Sequence, residues 1–172
     1  MNRPATQQEL FARLDSLGLA HKTQSHVPVF TVEEARKLRP SQLGGHCKNL
    51  FLKDRKDRLY LVVAEAERSL DLDALARALG AARLSFGKPE LLMSALGVTP
   101  GAVTPLALIN DRGRKIRVII DRDFLAHDIV NAHPLNNAQT TAMRPQDLLA
   151  FIRACGHEPE ILDFQALGRS PI

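Results

Sequence analysis

Apolar residues recur along this chain with two periods, and the switching between them predicts the elements. Residues 6 to 17 place Leu10, Leu14 and Leu17 at helical spacing behind Thr6, a favourable cap, with Gly18 as a stop. "HKTQSHVPVF" reads as a short extended segment. "TVEEARKL" then opens a helix with Thr31 and Glu34 at capping-box spacing, and Pro40 prevents its continuation. Two apolar runs, Cys47 to Leu52 and Leu59 to Ala66, flank "KDRKDR", which is expected to be a solvated turn, so the segment predicts a β-hairpin.

"LDLDALARALG" and "GKPELLMSALG" carry helical periodicity and end at Gly80 and Gly97, with Pro89 in the first turn of the second. "ARLSF" between them is expected to be a strand. "LALIN" and "RKIRVIID", separated by a turn containing Asp111 and Gly113, predict a second hairpin. "HDIVNAHPLNNAQTTAM" holds further strand material. "RPQDLLAFIRACG" is a helix bounded by Pro145 and Gly156, "PEILDF" is a closing strand, and "QALGRSPI" is a loose tail. This irregular alternation predicts an α/β fold with a mixed sheet.

With 172 residues, 45% of them hydrophobic, the chain is long enough for one compact domain without disulfides or metal. No repeat or low-complexity tract divides it. Lys and Arg number 23 against 19 acids, a formal charge of +4, and the sequence pI is about 9.4. That balance favours a polyanionic partner without identifying one. Cys47 and Cys155 have no zinc-site spacing and fit a reduced setting. Neither a signal-peptide core nor a run of roughly 20 apolar residues occurs, so the expectation is a soluble, cytoplasmic protein with no membrane partner.

Three stretches carry candidate chemistry. In "GGHCKNLFLKD", strand alternation puts Lys48 on one face with Leu50 and Leu52, and Asn49 on the other with Phe51. The plainer reading has Lys48 snorkelling at a strand end. The functional one has its ammonium meeting a phosphate or a developing oxyanion. In "GVTPGAVTP", Gly101 and Pro105 bracket a G-x-x-x-P loop, in which glycine permits unusual φ and close approach of a ligand while proline stiffens the far end. An ordinary turn explains the same residues. "NAHPLNNAQTTA" gathers His133, Asn136, Asn137, Thr140 and Thr141, a dense hydrogen-bonding set, although a strand-end histidine is more often structural.

Taken together and in this order, these stretches make the chain resemble the YbaK/prolyl-tRNA-synthetase-associated family of aminoacyl-tRNA editing deacylases. The resemblance covers roughly residues 5 to 165 and is greatest to the freestanding alanyl-tRNA(Pro) deacylases. It implies one domain over residues 1 to 172 with a tail from 166, built on a mixed, strongly twisted central sheet surrounded by helices. It also implies catalytic roles for Lys48, Gly101 and His133, and substrate binding by Asn49, Ala102, Val103, Thr104, Pro105 and Asn136. The implied partner is the acceptor end of tRNA(Pro) carrying alanine, with transient contact to prolyl-tRNA synthetase or an elongation factor. No cofactor or metal is implied, and the oligomeric state is left open.

An aminoacyl ester is already activated, so hydrolysis needs a positioned water and a stabilised oxyanion more than a protein nucleophile. No G-x-S-x-G elbow occurs, Ser41, Ser85 and Ser94 lack a nucleophile context, and alternation turns Cys47 away from Lys48. Covalent catalysis is therefore not expected. Basic residues in "EEARKLRP" and "DRKDR", with Arg112, Arg114, Lys115 and Arg117, are candidate phosphate contacts. Three alternatives remain open: a deacylase for cysteinyl- or seryl-tRNA, a non-catalytic tRNA-binding regulatory module, and a hydrolase of some other activated ester.

Overall fold

The computed structural model describes residues 3–28, 30–38 and 43–167. Pro40, Ser41 and the tail beyond residue 167 lie outside the described residues. The elements follow in order: α1 (Gln7–Ser16), β1 (His21–Ser25), α2 (Val32–Leu38), β2 (Cys47–Lys53), β3 (Leu59–Glu65), α3 (Leu72–Leu79), β4 (Ser85–Phe86), α4 (Pro89–Leu96), β5 (Ile116–Asp121), β6 (Val130–Ala132), β7 (Gln139–Met143), α5 (Pro145–Ala154), β8 (Glu160–Leu162) and α6 (Phe164–Leu167). Short 3₁₀ turns cover Pro100–Ala102, Pro105–Asn110 and Phe124–Ala126.

The caps behave as their chemistry requires. Thr6 and Glu9 form a reciprocal capping box at the head of α1. The Thr31 hydroxyl accepts the Glu34 amide at 3.1 Å at the head of α2. The Asp71 carboxylate accepts the amides of Asp73 and Ala74 at the head of α3.

The fold is mixed α/β with two sheets rather than the one expected: a five-stranded sheet in the order β4-β2-β3-β5-β8 and a three-stranded sheet in the order β1-β7-β6. In the larger sheet β2 pairs antiparallel with β3, as the hairpin pattern predicts, but β5 runs parallel to β3 and to β8. The expected second hairpin is absent. Pro105 starts a 3₁₀ segment through Asn110 instead of a strand, because a ring that fixes φ and lacks an N–H suits a first helical position. Other departures are smaller. "ARLSF" contributes only the two residues of β4, and residues 164 to 167 form a helical turn with Phe164 buried rather than a loose tail.

β3 is buried along nearly its whole length, as expected of a strand covered on both faces. One face carries Phe51, Leu61, Val63 and Val118 into a core shared with α1, α4, α5 and the smaller sheet. The opposite face carries Leu52, Tyr60, Val62 and Ile119 against α3 and Phe164. The β2–β3 turn is not uniformly solvated either, since Asp54 is buried. Burial alone would raise its carboxyl pKa, but hydrogen bonds from the Tyr60 hydroxyl and from Arg58 hold it below the usual carboxylate range.

Candidate active site

The paired glycines ahead of β2 have a steric purpose. Gly44 sits at φ 101, and a Cβ on Gly45 would lie 2.4 Å from the His127 ring. Their smallness lets Gly45 pair with β6: its amide donates to the Ile129 carbonyl at 2.7 Å and its carbonyl accepts from the Asn131 amide at 3.0 Å. The Asn131 side chain adds bonds to the carbonyls of Leu43 and Gly45. The smaller sheet is thereby fastened to the start of β2.

From that start β2 sends neighbouring residues in opposite directions. Asn49 pairs with Val63 on the face of the larger core, and its side chain lies beside the Cys47 thiol, which reaches the Asn131 carbonyl at 3.5 Å. Lys48 pairs with Ala64 on the α3 face, and its ammonium donates to the Arg68 carbonyl oxygen. Burial lowers the Lys48 pKa, with Glu67 acting against the shift. Arg68 is itself clamped by Asp121 and Asp123 at 2.7 and 2.6 Å.

The G-x-x-x-P loop lies on the Asn49 face, where Ala102, Val103 and Leu106 join the core. Gly101 has no positive φ, contrary to the conformational freedom expected of it. What it supplies is space: a Cβ there would lie 3.2 Å from the Asn137 amide nitrogen and 3.3 Å from the Phe30 ring. The Ala102 amide is committed to the Thr99 carbonyl. The Gly101 N–H, in the first turn of its 3₁₀ segment, has no acceptor within that segment. Three of the residues implied as substrate contacts lie inside the loop. Ala102, Thr104 and Pro105 are buried, and the Thr104 hydroxyl caps Leu106 at 3.2 Å, so their side chains build the loop. Val103 is partly buried against the same core.

The turn between β6 and β7 carries the imidazole. His133 Nδ1 lies 2.9 Å from the Gln139 carbonyl, an acceptor only, so Nδ1 bears the proton and the neutral ring leaves Nε2 as a base. Nε2 makes no hydrogen bond among the described residues. Burial lowers the His133 pKa, and repulsion from His26 adds to the shift while the bond to Gln139 opposes it. Leu135 occupies φ 72, a left-handed conformation rare for a bulky residue, within this same turn.

Asn136 follows Leu135 in the turn. Its side-chain oxygen accepts the Ala138 amide at 2.9 Å and its amide donates to Gln139 at 3.1 Å, so it shapes the turn. Its neighbour Asn137 is the one beside Gly101. Gln7 of α1 secures the turn from outside, donating to the Pro134 carbonyl and to the Gln139 side-chain oxygen.

His26 and Phe30 were not singled out from the sequence. His26 Nδ1 donates to the Val27 carbonyl, Nε2 lies 2.8 Å from the Thr140 hydroxyl, and its ring centroid is 6.3 Å from that of His133. The only local sign was a histidine two residues before a proline, opposite a second His-Pro segment. Several candidate phosphate contacts are engaged in ion pairs: Arg36 with Glu67, Arg58 with Asp54, and Arg117 with Glu160. Arg112 donates to the Arg3 carbonyl, and Arg114 packs at Gly156. Among the described residues, no group of three His, Cys, Asp or Glu gathers as a metal site would, and no helix is long and apolar enough to cross a membrane.

The His133 Nε2 and the Gly101 N–H each have no hydrogen-bond partner among the described residues, and the turn and the glycine loop approach each other where Asn137 stands beside Gly101. Comparison with known proteins bears on what such a site does. The aminoacyl-tRNA editing domain model matches residues 26–151. The chain is 39% identical over 159 residues to prolyl-tRNA synthetase associated domain-containing protein 1 of Danio rerio, covering 91% of this chain and 86% of that protein. It is 34% identical over 151 residues to prolyl-tRNA editing protein ProX of Acetoanaerobium sticklandii, covering 87% and 92%. A crystal structure described as a candidate trans-editing enzyme for prolyl tRNA synthetase matches with a TM-score of 0.72 at 21% identity, over 91% of this chain and 94% of that one, a likeness of fold.

Proposed function

Because this chain belongs to the aminoacyl-tRNA editing domain family, we propose that it is a trans-editing deacylase that hydrolyses the ester of mischarged alanyl-tRNA(Pro). The observation that carries this reading is the His133 ring, deprotonated at Nε2 by its bond to Gln139, on a turn that meets the glycine loop through Asn137. Water attacks the ester carbonyl as His133 Nε2 takes its proton, and the Gly101 N–H stabilises the oxyanion. Collapse of the tetrahedral intermediate returns that proton to the departing ribose oxygen. The products are free alanine and a tRNA with its terminal hydroxyl restored.

Lys48 acts from the rim. Burial makes its charge costly where it stands, so the phosphate of the terminal nucleotide is a better partner for the ammonium than the Arg68 carbonyl. Asn49, on the loop side, lines the acyl pocket with Asn137 and Phe30. Size selects the amino acid: even one methyl group on Gly101 would lie 3.2 Å from Asn137 and 3.3 Å from Phe30, so a pocket bounded by these groups takes the methyl of alanine more readily than the proline ring. One methylene separates small side chains by only about 1 to 3 kcal/mol, so contacts to the tRNA supply the remaining selectivity.

A deacylation panel tests the reading. With alanyl, seryl, cysteinyl and prolyl esters of one tRNA(Pro), alanine is released fastest and proline is spared. Preferred release of cysteine or serine reassigns the substrate. Saturable tRNA binding with no amino acid released from any ester refutes hydrolysis.

A further inference from the structure

The three-stranded sheet turns one face to the core through Thr141, Met143 and Val130 and leaves the other open. Register places Lys22 opposite Ala142, Gln24 opposite Thr140, and Asn131 opposite Ala142, so these side chains share the open face. A groove of about 500 Å³ runs along it, walled by Leu43 and Ile129 and closed at the far end by Arg144. None of the residues lining it is acidic.

Three features indicate its occupant. The first is continuity: the groove wall includes Thr140, whose hydroxyl holds His26, and the His26 ring adjoins that of His133. The second is charge. Lys22 is exposed, and among the described residues it has no ion pair and Arg144 is answered only by Asp147 from the next helix. The third is length: the four residue steps from Thr140 to Arg144, just past the end of β7, span about 13 Å, enough for the terminal nucleotides of a stacked single strand at about 3.4 Å each. The Gln24 amide, unbonded among the described residues, and the apolar Leu43 side chain, 84% exposed, can meet base edges and faces.

We propose that this groove seats the unpaired 3′ nucleotides that precede the aminoacylated adenosine, with Lys22 and Arg144 on their phosphates. The assignment rests on the deacylase reading of the adjoining site. It explains why a protein with a small acyl pocket would take its ester from tRNA rather than from a free nucleoside.

The test uses the full chain, two variants and two esters: alanyl-tRNA(Pro) and 3′-alanyl-adenosine, which is too short to enter the groove. Lys22→Glu raises KM for the tRNA ester about tenfold and flattens its salt dependence by about one phosphate contact. Ala142→Trp, which fills the groove, gives a comparable loss without changing charge. Both effects are at least about fivefold smaller on the nucleoside ester, as expected if the groove meets only polynucleotide. Tenfold weaker tRNA binding in both variants supports the groove. An unchanged KM for the tRNA ester in both, or equal losses on both esters, overturns it. If the wild-type protein cleaves neither ester, the deacylase reading fails separately. Fluorescence anisotropy with uncharged tRNA(Pro) still decides the groove, because Lys22→Glu must bind more weakly than wild type.

Discussion

Lys48 and Asn49 are one residue apart on β2, yet their surroundings differ. Asn49 faces the larger core, with the glycine loop and the fastened smaller sheet, where polar groups meet across short distances. Lys48 faces α3 and ends on the carbonyl of an arginine clamped by two aspartates. In the first region the His133 Nε2 and the Gly101 N–H have no partner among the described residues. The second is a closed set of ion pairs with one half-buried ammonium at its edge. In the proposed mechanism the pleat separates binding of the charged strand end from chemistry on the ester, although the two side chains come from adjacent positions.

The widest separation is expected from Lys48→Ala, which lowers kcat/KM for alanyl-tRNA(Pro) about 1000-fold through weaker binding of the strand end, the scale of truncating one partner of a buried charge pair. Its melting temperature stays within about 4 °C of wild type, because one rim hydrogen bond is worth about 1 kcal/mol. Near-normal turnover would remove Lys48 from the mechanism and leave the chemistry to the Asn49 face alone.

His133→Asn comes next, with kcat about 100-fold lower, a usual cost of losing a general base. The pH profile sharpens the point. Burial sets the His133 pKa below its ordinary 6.5, and the neutral ring is the active form, so wild-type activity falls as pH drops through that lowered value. The variant must lose this acidic limb; if it persists, another group takes the proton.

Gly101→Ala places a methyl group 3.2 Å from the Asn137 amide and 3.3 Å from Phe30. A loss of about tenfold in kcat/KM for the alanyl ester follows, consistent with a small misplacement in a packed site, measured in single-turnover assays. Full activity would show that the loop has slack and does not gauge the acyl group.

The smallest effect is expected from Asn136→Ala, which removes turn bonds and costs about 1 kcal/mol of stability, read by urea denaturation, with activity reduced less than in Gly101→Ala. A larger loss of activity than of stability would return Asn136 to the pocket.

Local pattern made much of this legible. The caps of α1 and α2, the β2–β3 hairpin, and the opposite faces of Lys48 and Asn49 all follow from residue type and period. "LALIN" was misread because a five-residue apolar run is ambiguous between strand and helix, and Pro105 decided it. The parallel pairing of β5 with β3 leaves no local signature, since its partners are far apart in sequence. Gly101 and His133 stand out in the sequence, but the sequence does not show that Asn137, rather than Asn136, lies beside Gly101, because the left-handed Leu135 breaks the alternation in this turn. His26 escaped notice because its partner Thr140 lies 114 positions away.

The most direct measurement is amide NMR of the wild-type protein titrated with a non-hydrolysable amide analogue of 3′-alanyl-adenosine. Saturable shifts at Gly101, Asn137 and His133 are predicted, since the ester carbonyl belongs between loop and turn. Shifts confined to Lys48 and Arg68, or no saturable shift at any of these residues, would contradict the placement of the reaction on the Asn49 face.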